Sequence, residues 1–303
     1  MVNLVFVVYS RGIDKNIIST LNLLRDPIFG LELNKGVFVV RGFSQKSIRD
    51  LERMEIRPLV ADSEGGVILR SKRGEEIHFI PSRENAEGPC IGWDLGLAFA
   101  FDKFWDGMKT DYVMHLPVDL FHSEEDDAKD SLHKMKENVL SGEYDLVIGD
   151  YVSGSSKDGI ERYIREALFD FLPGFIDYEN VDSKIRARSE FFCIRRDEYE
   201  AFRKKREVLP FELTIQFLIH LVKTNGKLGR VSLGTYQGFG DYPIQKVLHQ
   251  MLRGSFAIRN EILEWSDDEW LKANTDLWTE KVTTSMRREI ESIRSVLKEE
   301  LIR

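Results

Sequence analysis

Residues 111–119, with the sequence DYVMHLPVD, decide the fold that we expect for this chain. The apolar run is typical of a strand buried on both faces, and it continues into Pro117 and Asp119. Three further runs predict buried strands of the same kind: residues 4–9 (LVFVVY), 36–42 (GVFVVRG) and 144–148 (YDLVI).

Segments with helical spacing separate these strands. They cover residues 16–24, 47–54 and 91–105, and a fourth begins in the acidic stretch at Glu124 and ends near Gly142. Strands and helices that alternate through short links predict right-handed crossovers and a mainly parallel sheet flanked by helices, an α/β fold. In such a sheet the ligand binds at the carboxyl ends of the strands.

The remaining segments complete this plan. Residues 58–81 contain short strand-like pieces broken by glycine turns, which predict an antiparallel excursion. The second half is more helical, with predicted strands only at 191–194 and 228–233 and predicted helices at 159–172, 196–205 and 211–224. We therefore expect one domain over residues 1–241 and a helical C-terminal extension over 242–303, which either packs on it or forms a homodimer.

Composition excludes several classes of protein. The formal net charge of −8 argues against a nucleic-acid binder, which needs a basic field. No stretch approaches the roughly 20 apolar residues of a membrane span, and the apolar run at the N-terminus is too short for a signal peptide. Cys90 and Cys193 lack metal-ligand spacing, so we predict two buried thiols and a cytoplasmic location.

Four segments, in order, resemble glycosyltransferase family 2 and its relatives, which include polyprenyl-phosphate mannosyltransferases and mannosylglycerate synthase. They are residues 5–11 (VFVVYSR), 88–98 (GPCIGWDLGLA) followed by 111–119, 144–151 (YDLVIGDY) and 189–199 (SEFFCIRRDEY). The resemblance implies a GT-A fold and the use of a nucleotide-diphospho-sugar such as GDP-mannose. Order and spacing carry this match more than any single residue does.

The resemblance also implies a set of site residues. Nucleotide-sugar binding is expected from Tyr9, Arg11, Gly42, Arg83, Gly88, Gly92, Asp94 and Asp119. An inverting transfer needs a general base, for which Asp182, Glu190, Glu212 and Asp241 are candidates by position; a retaining transfer needs none.

A divalent cation would stabilise the diphosphate leaving group. The family places two aspartates one residue apart at the strand end, but Pro117 occupies the first position here, so only Asp119 is left to bind Mg²⁺ or Mn²⁺. Pro89 likewise stands where the family has a lysine, a charge that Arg11, Arg41 or Arg83 could replace. His115 and His122 flank Asp119 and suggest metal ligands, although a structural role for His115 is the simpler interpretation.

The sequence thus predicts a cytoplasmic glycosyltransferase that moves a sugar to a small soluble hydroxyl acceptor. A non-catalytic GT-A relative that binds nucleotide or sugar is the main alternative, because Pro117 and Pro89 replace functional residues. A nucleotidyltransferase would need a glycine-rich loop with arginine and lysine after the first strand. A dehydrogenase would need a Gly-x-Gly-x-x-Gly segment after a strand, and neither signal is present.

Overall fold

The long apolar runs of the sequence form the middle of a nine-stranded sheet. In a computed structural model of the chain, the described residues are 2–25, 33–57, 59–61, 65–70, 74–82, 88–118, 127–152, 186, 188–210 and 212–235. The strands are β1 (Leu4–Ser10), β2 (Lys35–Val40), β3 (Leu59–Ala61), β4 (Val67–Arg70), β5 (Glu76–Pro81), β6 (Phe104–Trp105), β7 (Met108–Lys109), β8 (Tyr112–Pro117), β9 (Leu146–Val152), β10 (Phe192–Arg195) and β11 (Leu228–Thr235).

The sheet is mainly parallel, as predicted. Its strand order is β11-β9-β10-β8-β1-β2-β5-β4-β3, and β6 pairs only with β7. Parallel pairing joins β5 to β2, β2 to β1, β1 to β8 and β9 to β11. The expected antiparallel excursion is β3 and β4, while β5 returns to the parallel part.

Helices cover both faces of this sheet. They are α1 (Lys15–Arg25), α2 (Gln45–Arg53), α3 (Pro89–Asp102), α4 (Asp127–Leu140), α5 (Arg196–Lys205) and α6 (Leu213–Thr224). Alternate residues of the central strands point to opposite faces, so that Val5 and Val7 pack with α3, α5 and α6. Leu4, Phe6 and Val8 pack with α1, α2 and α4 on the other face. The result is the three-layer α/β architecture that the alternation of elements predicts.

Strand β10 runs against its neighbours, which the sequence did not indicate. It pairs antiparallel with both β8 and β9, with Phe192 opposite His115 and Ile148. The residues that precede β10 therefore lie at the same edge of the sheet as the residues that follow β8 and β9. This reversal brings a new segment to the carboxyl ends of the parallel strands.

Helix α3 is shorter than the helix predicted over 91–105. It ends at Asp102, and Lys103 is extended with ψ 147°. Residues Asp106 and Gly107, with φ of 50° and 78°, form a tight turn between β6 and β7. The Trp105 indole is buried and donates to the Ala100 carbonyl at 3.0 Å, so this residue folds back beneath α3 instead of extending it.

The remaining predictions concern the two cysteines, two predicted helical segments and membrane spans. Both cysteines are buried free thiols, as expected. The predicted helix over 159–172 and the C-terminal extension over 242–303 lie outside the described residues. None of the helices in the described ranges is long and apolar enough to cross a membrane.

Candidate functional site

The site expected from the fold lies where the parallel strands end, an edge that we call the carboxyl edge. It is formed by the last residues of β1, β2, β5, β8 and β9 and by the residues just before β10. Two backbone hydrogen bonds extend the sheet past its formal ends: the Arg41 N–H donates to the Ser10 carbonyl and the Ser82 N–H to the Val40 carbonyl, both at 2.9 Å. The edge is thus a continuous rim and not a set of separate loops.

The end of β8 is held in place by β1 beside it and by α1, which packs on one face of the sheet. Pro117 lies beside Tyr9 of β1, and the Thr20 hydroxyl of α1 donates to the Val118 carbonyl at 2.9 Å. Asp119 follows Val118 directly and lies outside the described residues.

A short segment before β10, residues 186 and 188–191, forms what we call the shelf. The Ser189 hydroxyl lies 2.5 Å from the Gly149 carbonyl of β9, and the Phe191 N–H donates to that hydroxyl at 3.0 Å. The Gly149 N–H in turn donates to the Phe191 carbonyl at 2.9 Å. The Thr214 hydroxyl of α6 donates to the Ser189 carbonyl at 3.0 Å. These bonds tie the shelf to a strand and to a helix at once.

Arg186 anchors the start of the shelf on β9. Its N–H donates to Asp150 Oδ1 at 2.6 Å, and its Nη1 donates to the Tyr151 carbonyl at 3.0 Å. The guanidinium carbon lies 3.9 Å from the centroid of the Tyr151 ring, a distance at which cation and ring attract. Asp150 is also paired with Arg230 of β11. One carboxylate therefore joins the shelf to the last two strands of the sheet.

The N-termini of α3 and α6 meet at this edge. The Cys90 N–H donates to the Pro210 carbonyl at 3.0 Å. Gly88 caps α3 with φ 78°, and any Cβ there would overlap the Pro210 carbonyl. Glycine is thus required twice at this position, by its backbone conformation and by the close approach.

Charged groups gather around the Cys90 thiol. Burial is the main cause that raises the pKa of this thiol. The Leu213 N–H and the charge of Arg188 oppose that increase, while the carboxylates of Glu212 and Glu190 add to it. Glu212 is buried, whereas Arg188 and Glu190 are half-buried. The charges of two carboxylates and one guanidinium therefore act on a single buried atom in the first turn of α3.

His115 lies beneath this group, within β8. Its ring is buried between Trp93 and Phe192, with ring centroids at 4.4 and 4.9 Å. Its Nδ1 lies 2.6 Å from the Glu190 carbonyl. Burial lowers the pKa of His115 to about 4, although the contacts with Glu190 act in the opposite direction. The ring is neutral near pH 7, enclosed by aromatic side chains and engaged through Nδ1. His122, the other histidine near Asp119, lies outside the described residues.

Five of the predicted binding residues lie on or near the rim. The Tyr9 ring is half-buried and packs so closely on Gly92 that a Cβ there would overlap it. Arg11 and Gly42 are exposed just after β1 and β2, and Gly42 has φ 69°. Gly88 is at the cap described above.

Asp94 has a different environment from the one predicted. Its carboxylate accepts from the Tyr199 hydroxyl at 2.8 Å and lies 3.4 Å from the Arg203 guanidinium. This contact joins α3 to α5, so we leave Asp94 out of the proposed binding site. The other predicted site residues lie outside the described residues: Arg83, Asp119, Asp182 and Asp241.

A metal centre is not evident in the described ranges. They contain no group of three or more histidine, cysteine, aspartate or glutamate side chains that could hold a metal ion. Asp119, the predicted ligand, is beyond those ranges.

The sequence analysis missed the arginines and hydroxyls of the shelf. Arg186, Arg188 and Ser189 precede a predicted strand, and only the antiparallel direction of that strand places them at the carboxyl edge. Thr214 lies within a strongly apolar helix, and its neighbours in sequence did not indicate a contact with the shelf. Two arginines just before an apolar run are the one sequence signal that could have indicated this segment.

No protein-family model and no curated protein sequence matches the chain. Solved structures resemble it in fold. Glucosyl-3-phosphoglycerate synthase from Mycobacterium tuberculosis, in complex with Mn²⁺, UDP-glucose and phosphoglyceric acid, matches with a TM-score of 0.58 and 14% identity, over 86% of this chain and 79% of that one. Mannosyl-3-phosphoglycerate synthase from Rubrobacter xylanophilus matches with a TM-score of 0.59 and 12% identity, over 87% and 74%. Both are GT-A glycosyltransferases.

The chain has the GT-A fold. The fold that the sequence resemblance implied is thereby confirmed, over most of the length of both proteins.

Proposed function

We propose that this GT-A chain is a glycosyltransferase, a hexosyltransferase that moves a sugar from a UDP- or GDP-sugar to the hydroxyl of a small soluble acceptor. One observation carries the proposal: at the carboxyl edge of a GT-A sheet, the charges of Glu190, Glu212 and Arg188 all act on the Cys90 thiol in the first turn of α3. This is the place where ligands of open α/β sheets bind. Acidic groups beside a helix N-terminus suit a reaction that handles both a hydroxyl proton and a phosphate.

The donor is proposed to lie along the rim between β1 and α3. Tyr9 offers a half-buried ring to a nucleobase, and Arg11 offers an exposed guanidinium directly after it. Helix α3 begins at the same edge, and the positive end of its dipole favours an anion such as a diphosphate. The Cys90 N–H is already bound to the Pro210 carbonyl and Pro89 has no N–H, so this contribution comes from the dipole and not from those two donors. Gly42 leaves this surface open to a ligand, because a Cβ there would meet nothing within 4 Å. Gly88 and Gly92 are proposed to shape the site indirectly, because their missing side chains let the Pro210 carbonyl and the Tyr9 ring pack closely on α3.

A divalent cation is proposed as an aid to the leaving group. The synthase from M. tuberculosis holds Mn²⁺ together with UDP-glucose, and we propose Asp119 as the ligand in this chain. Mg²⁺ and Mn²⁺ commonly use only one or two protein carboxylates together with phosphate oxygens. The residue at position 117 is proline, so a pair of aspartates is not available.

Glu212 is the proposed general base among the described residues. It is 2% exposed and is the N-cap residue of α6, and its charge acts on the Cys90 thiol. A buried carboxylate at a cleft is suited to accept a proton from an attacking hydroxyl. Asp182 and Asp241 remain proposed as further acidic groups on the acceptor side.

A second function is favoured by two specific residues. Pro117 and Pro89 occupy positions where the resembled family has an aspartate and a lysine, and neither proline can hold a metal or a phosphate. A chain that keeps the cleft but does not transfer sugar would bind nucleotide without any need for metal.

Calorimetric titration separates these two functions. The purified chain is titrated with UDP, GDP, UDP-glucose and GDP-mannose, with and without Mn²⁺ or Mg²⁺. A transferase is expected to bind one donor more tightly with metal, and Asp119→Asn is expected to abolish that gain. Asp106→Asn removes an exposed carboxylate paired with Lys35 at the far edge of the sheet and is the matched control.

The outcomes differ clearly. Binding that is indifferent to metal and to Asp119 would favour the non-catalytic relative. If none of the four nucleotides binds, the proposed function is wrong and only the fold stands.

A further inference from the structure

His115 is built into β8 in a way that packing alone does not explain. A carbonyl oxygen can only accept, so the 2.6 Å contact with the Glu190 carbonyl requires the proton to be on Nδ1. The other nitrogen, Nε2, then carries a bare lone pair. It is buried and has no hydrogen-bond partner in the part of the chain that the structure describes.

An unsatisfied buried acceptor costs stability. A phenylalanine would fill the same space between Trp93 and Phe192 without that cost, since both neighbours are aromatic. The histidine adds one thing that an apolar ring lacks, a donor directed at the carbonyl of Glu190. Any function that requires histidine at position 115 therefore involves its hydrogen bond to the Glu190 carbonyl.

Glu190 belongs both to the shelf and to the charged group that acts on the Cys90 thiol. The shelf is tied to β9 through Ser189 and to α6 through Thr214. The bond from His115 supplies a third tie, to β8, two residues before β10 begins. Hydrogen bonds to β9, α6 and β8 restrict the backbone at Glu190, and they therefore fix the point from which its side chain extends.

We propose that His115 is a positioning residue that holds the Glu190 carbonyl and thereby fixes the point at the carboxyl edge from which the Glu190 carboxylate extends. The role of that carboxylate in sugar transfer rests on the proposed function, whereas the hydrogen bond does not. His115 acts through Glu190 and is not assigned any contact with substrate.

Two variants separate the donor from the packing. His115→Phe keeps an aromatic ring and loses the donor. His115→Asn loses the ring but places its Nδ2 where the histidine has Nδ1. His220→Phe is the matched control, because His220 is also buried and lies within α6, 3.4 Å from the Glu198 carboxylate, away from the carboxyl edge.

Amide hydrogen exchange measured by NMR is the first readout, and it needs no substrate. In His115→Phe we expect exchange at the Phe191 and Gly149 amides to accelerate about tenfold or more, with the amides of β1 and β2 unchanged. In His115→Asn we expect protection at both amides to return to within about threefold of the wild-type value.

Turnover is the second readout, measured as nucleotide release from whichever of UDP-glucose and GDP-mannose the wild-type chain hydrolyses. For His115→Phe we expect kcat to fall by roughly tenfold to hundredfold with KM nearly unchanged, since small displacements of a reacting group have effects of this size. His115→Asn should recover most of kcat, and His220→Phe should match the wild type.

Equal exchange and equal kcat in His115→Phe and the wild type would overturn the proposal. So would a His115→Asn variant that is more impaired than His115→Phe, because packing would then be the role of the ring. Failure of the proposed function has a different signature: a wild-type chain that binds no nucleotide, whatever the exchange data show.

Discussion

The two edges of the central sheet use charged residues in opposite ways. At the amino edge, where the parallel strands begin, charged side chains pair with one another and with backbone groups. At the carboxyl edge, the buried atoms Ser82 Oγ and His115 Nε2 have no hydrogen-bond partner among the residues described here. The polar groups at the amino edge thus stabilise the fold, whereas two buried polar atoms at the carboxyl edge lack a partner among the described residues.

The amino edge contains four tight polar contacts. Glu76 lies 3.0 Å from His78 Nε2 and 3.2 Å from Lys103 Nζ. Asp145 pairs with Arg195 and accepts from the Lys227 N–H at 2.6 Å. These contacts link strands to one another and to the residue that follows α3.

The carboxyl edge contains a segment that is held tightly through its backbone, the shelf. The shelf is held through backbone atoms and small hydroxyls, so that Arg188 and Glu190 themselves extend from a rigid base. Preorganisation of this kind is what catalytic groups need, because a displaced group loses much of its effect. The comparison predicts that substitutions at the two edges affect different quantities.

The largest effect is expected at Glu212. Glu212→Gln preserves shape and removes the negative charge, so we expect turnover of the nucleotide-sugar to fall about a hundredfold or more, with the melting temperature nearly unchanged. Steady-state kinetics beside a thermal melt measures both. Glu207→Gln, an exposed neighbour on the approach to α6, is the matched control and should retain activity. Full activity in Glu212→Gln would remove this residue from the mechanism.

A loss of stability without a loss of site chemistry is expected at the amino edge. Asp145→Ala leaves the Lys227 N–H without its acceptor and leaves Arg195 with Asp197 as a partner. Loss of hydrogen bonds to a charged group typically costs about 2 kcal/mol. The midpoint of urea unfolding should fall accordingly, while nucleotide affinity at low urea should stay the same. Asp197→Ala removes the exposed partner of Arg195 and should cost less than about 1 kcal/mol. Equal losses in the two variants would contradict this account of the edge.

A smaller effect is expected at Gly92, near the start of α3. Gly92→Ala would push its Cβ into the Tyr9 ring, so we expect nucleotide affinity to weaken by about tenfold, or 1.4 kcal/mol. Gly12→Ala is the control, since a Cβ at Gly12 meets nothing within 4 Å. Calorimetry on both variants measures the difference. Unchanged affinity in Gly92→Ala would mean that Tyr9 does not contact the nucleotide.

The last expectation concerns the pH dependence of stability, where the two edges should differ in their pH range. Burial acts to raise the pKa of Glu76, but His78, Lys103 and Arg70 outweigh it and lower that pKa below its usual value of 4.5. The charged carboxylate therefore stabilises the fold above pH 4.5, and this contribution is lost as the pH falls through the lowered pKa.

At the carboxyl edge the corresponding group is His115. Its pKa is lowered from 6.5 to about 4, so the unfolded chain takes up a proton first and stability falls as the pH decreases between those values. Urea unfolding from pH 7 to 3 tests both expectations. Glu76→Gln should flatten the loss below pH 4.5, and His115→Phe should flatten the loss above pH 4. Curves that change in the same pH range for both variants would contradict the assignment.

Much of the fold could be predicted from local pattern. The continuous apolar run of β1 and the helical spacing of α5 each specify their own element, because burial on two faces or on one stripe constrains the residue types directly. The helix expected over 196–205 matches α5 residue for residue. The strand after it, β11, was also expected, but its two final residues were not.

The direction of β10 and the contacts of the site were decided only by tertiary structure. A short strand such as Phe192–Arg195 has the same residue pattern in either direction, since side chains alternate identically along both. Its reversal depends on partners that are far away in sequence, and it alone brings Arg188 and Glu190 to the carboxyl edge. For the same reason the sequence did not indicate that Asp94 accepts a hydrogen bond from Tyr199, 105 residues later. The sequence by itself determined which segments are buried; the pairing of distant segments decided which polar side chains meet.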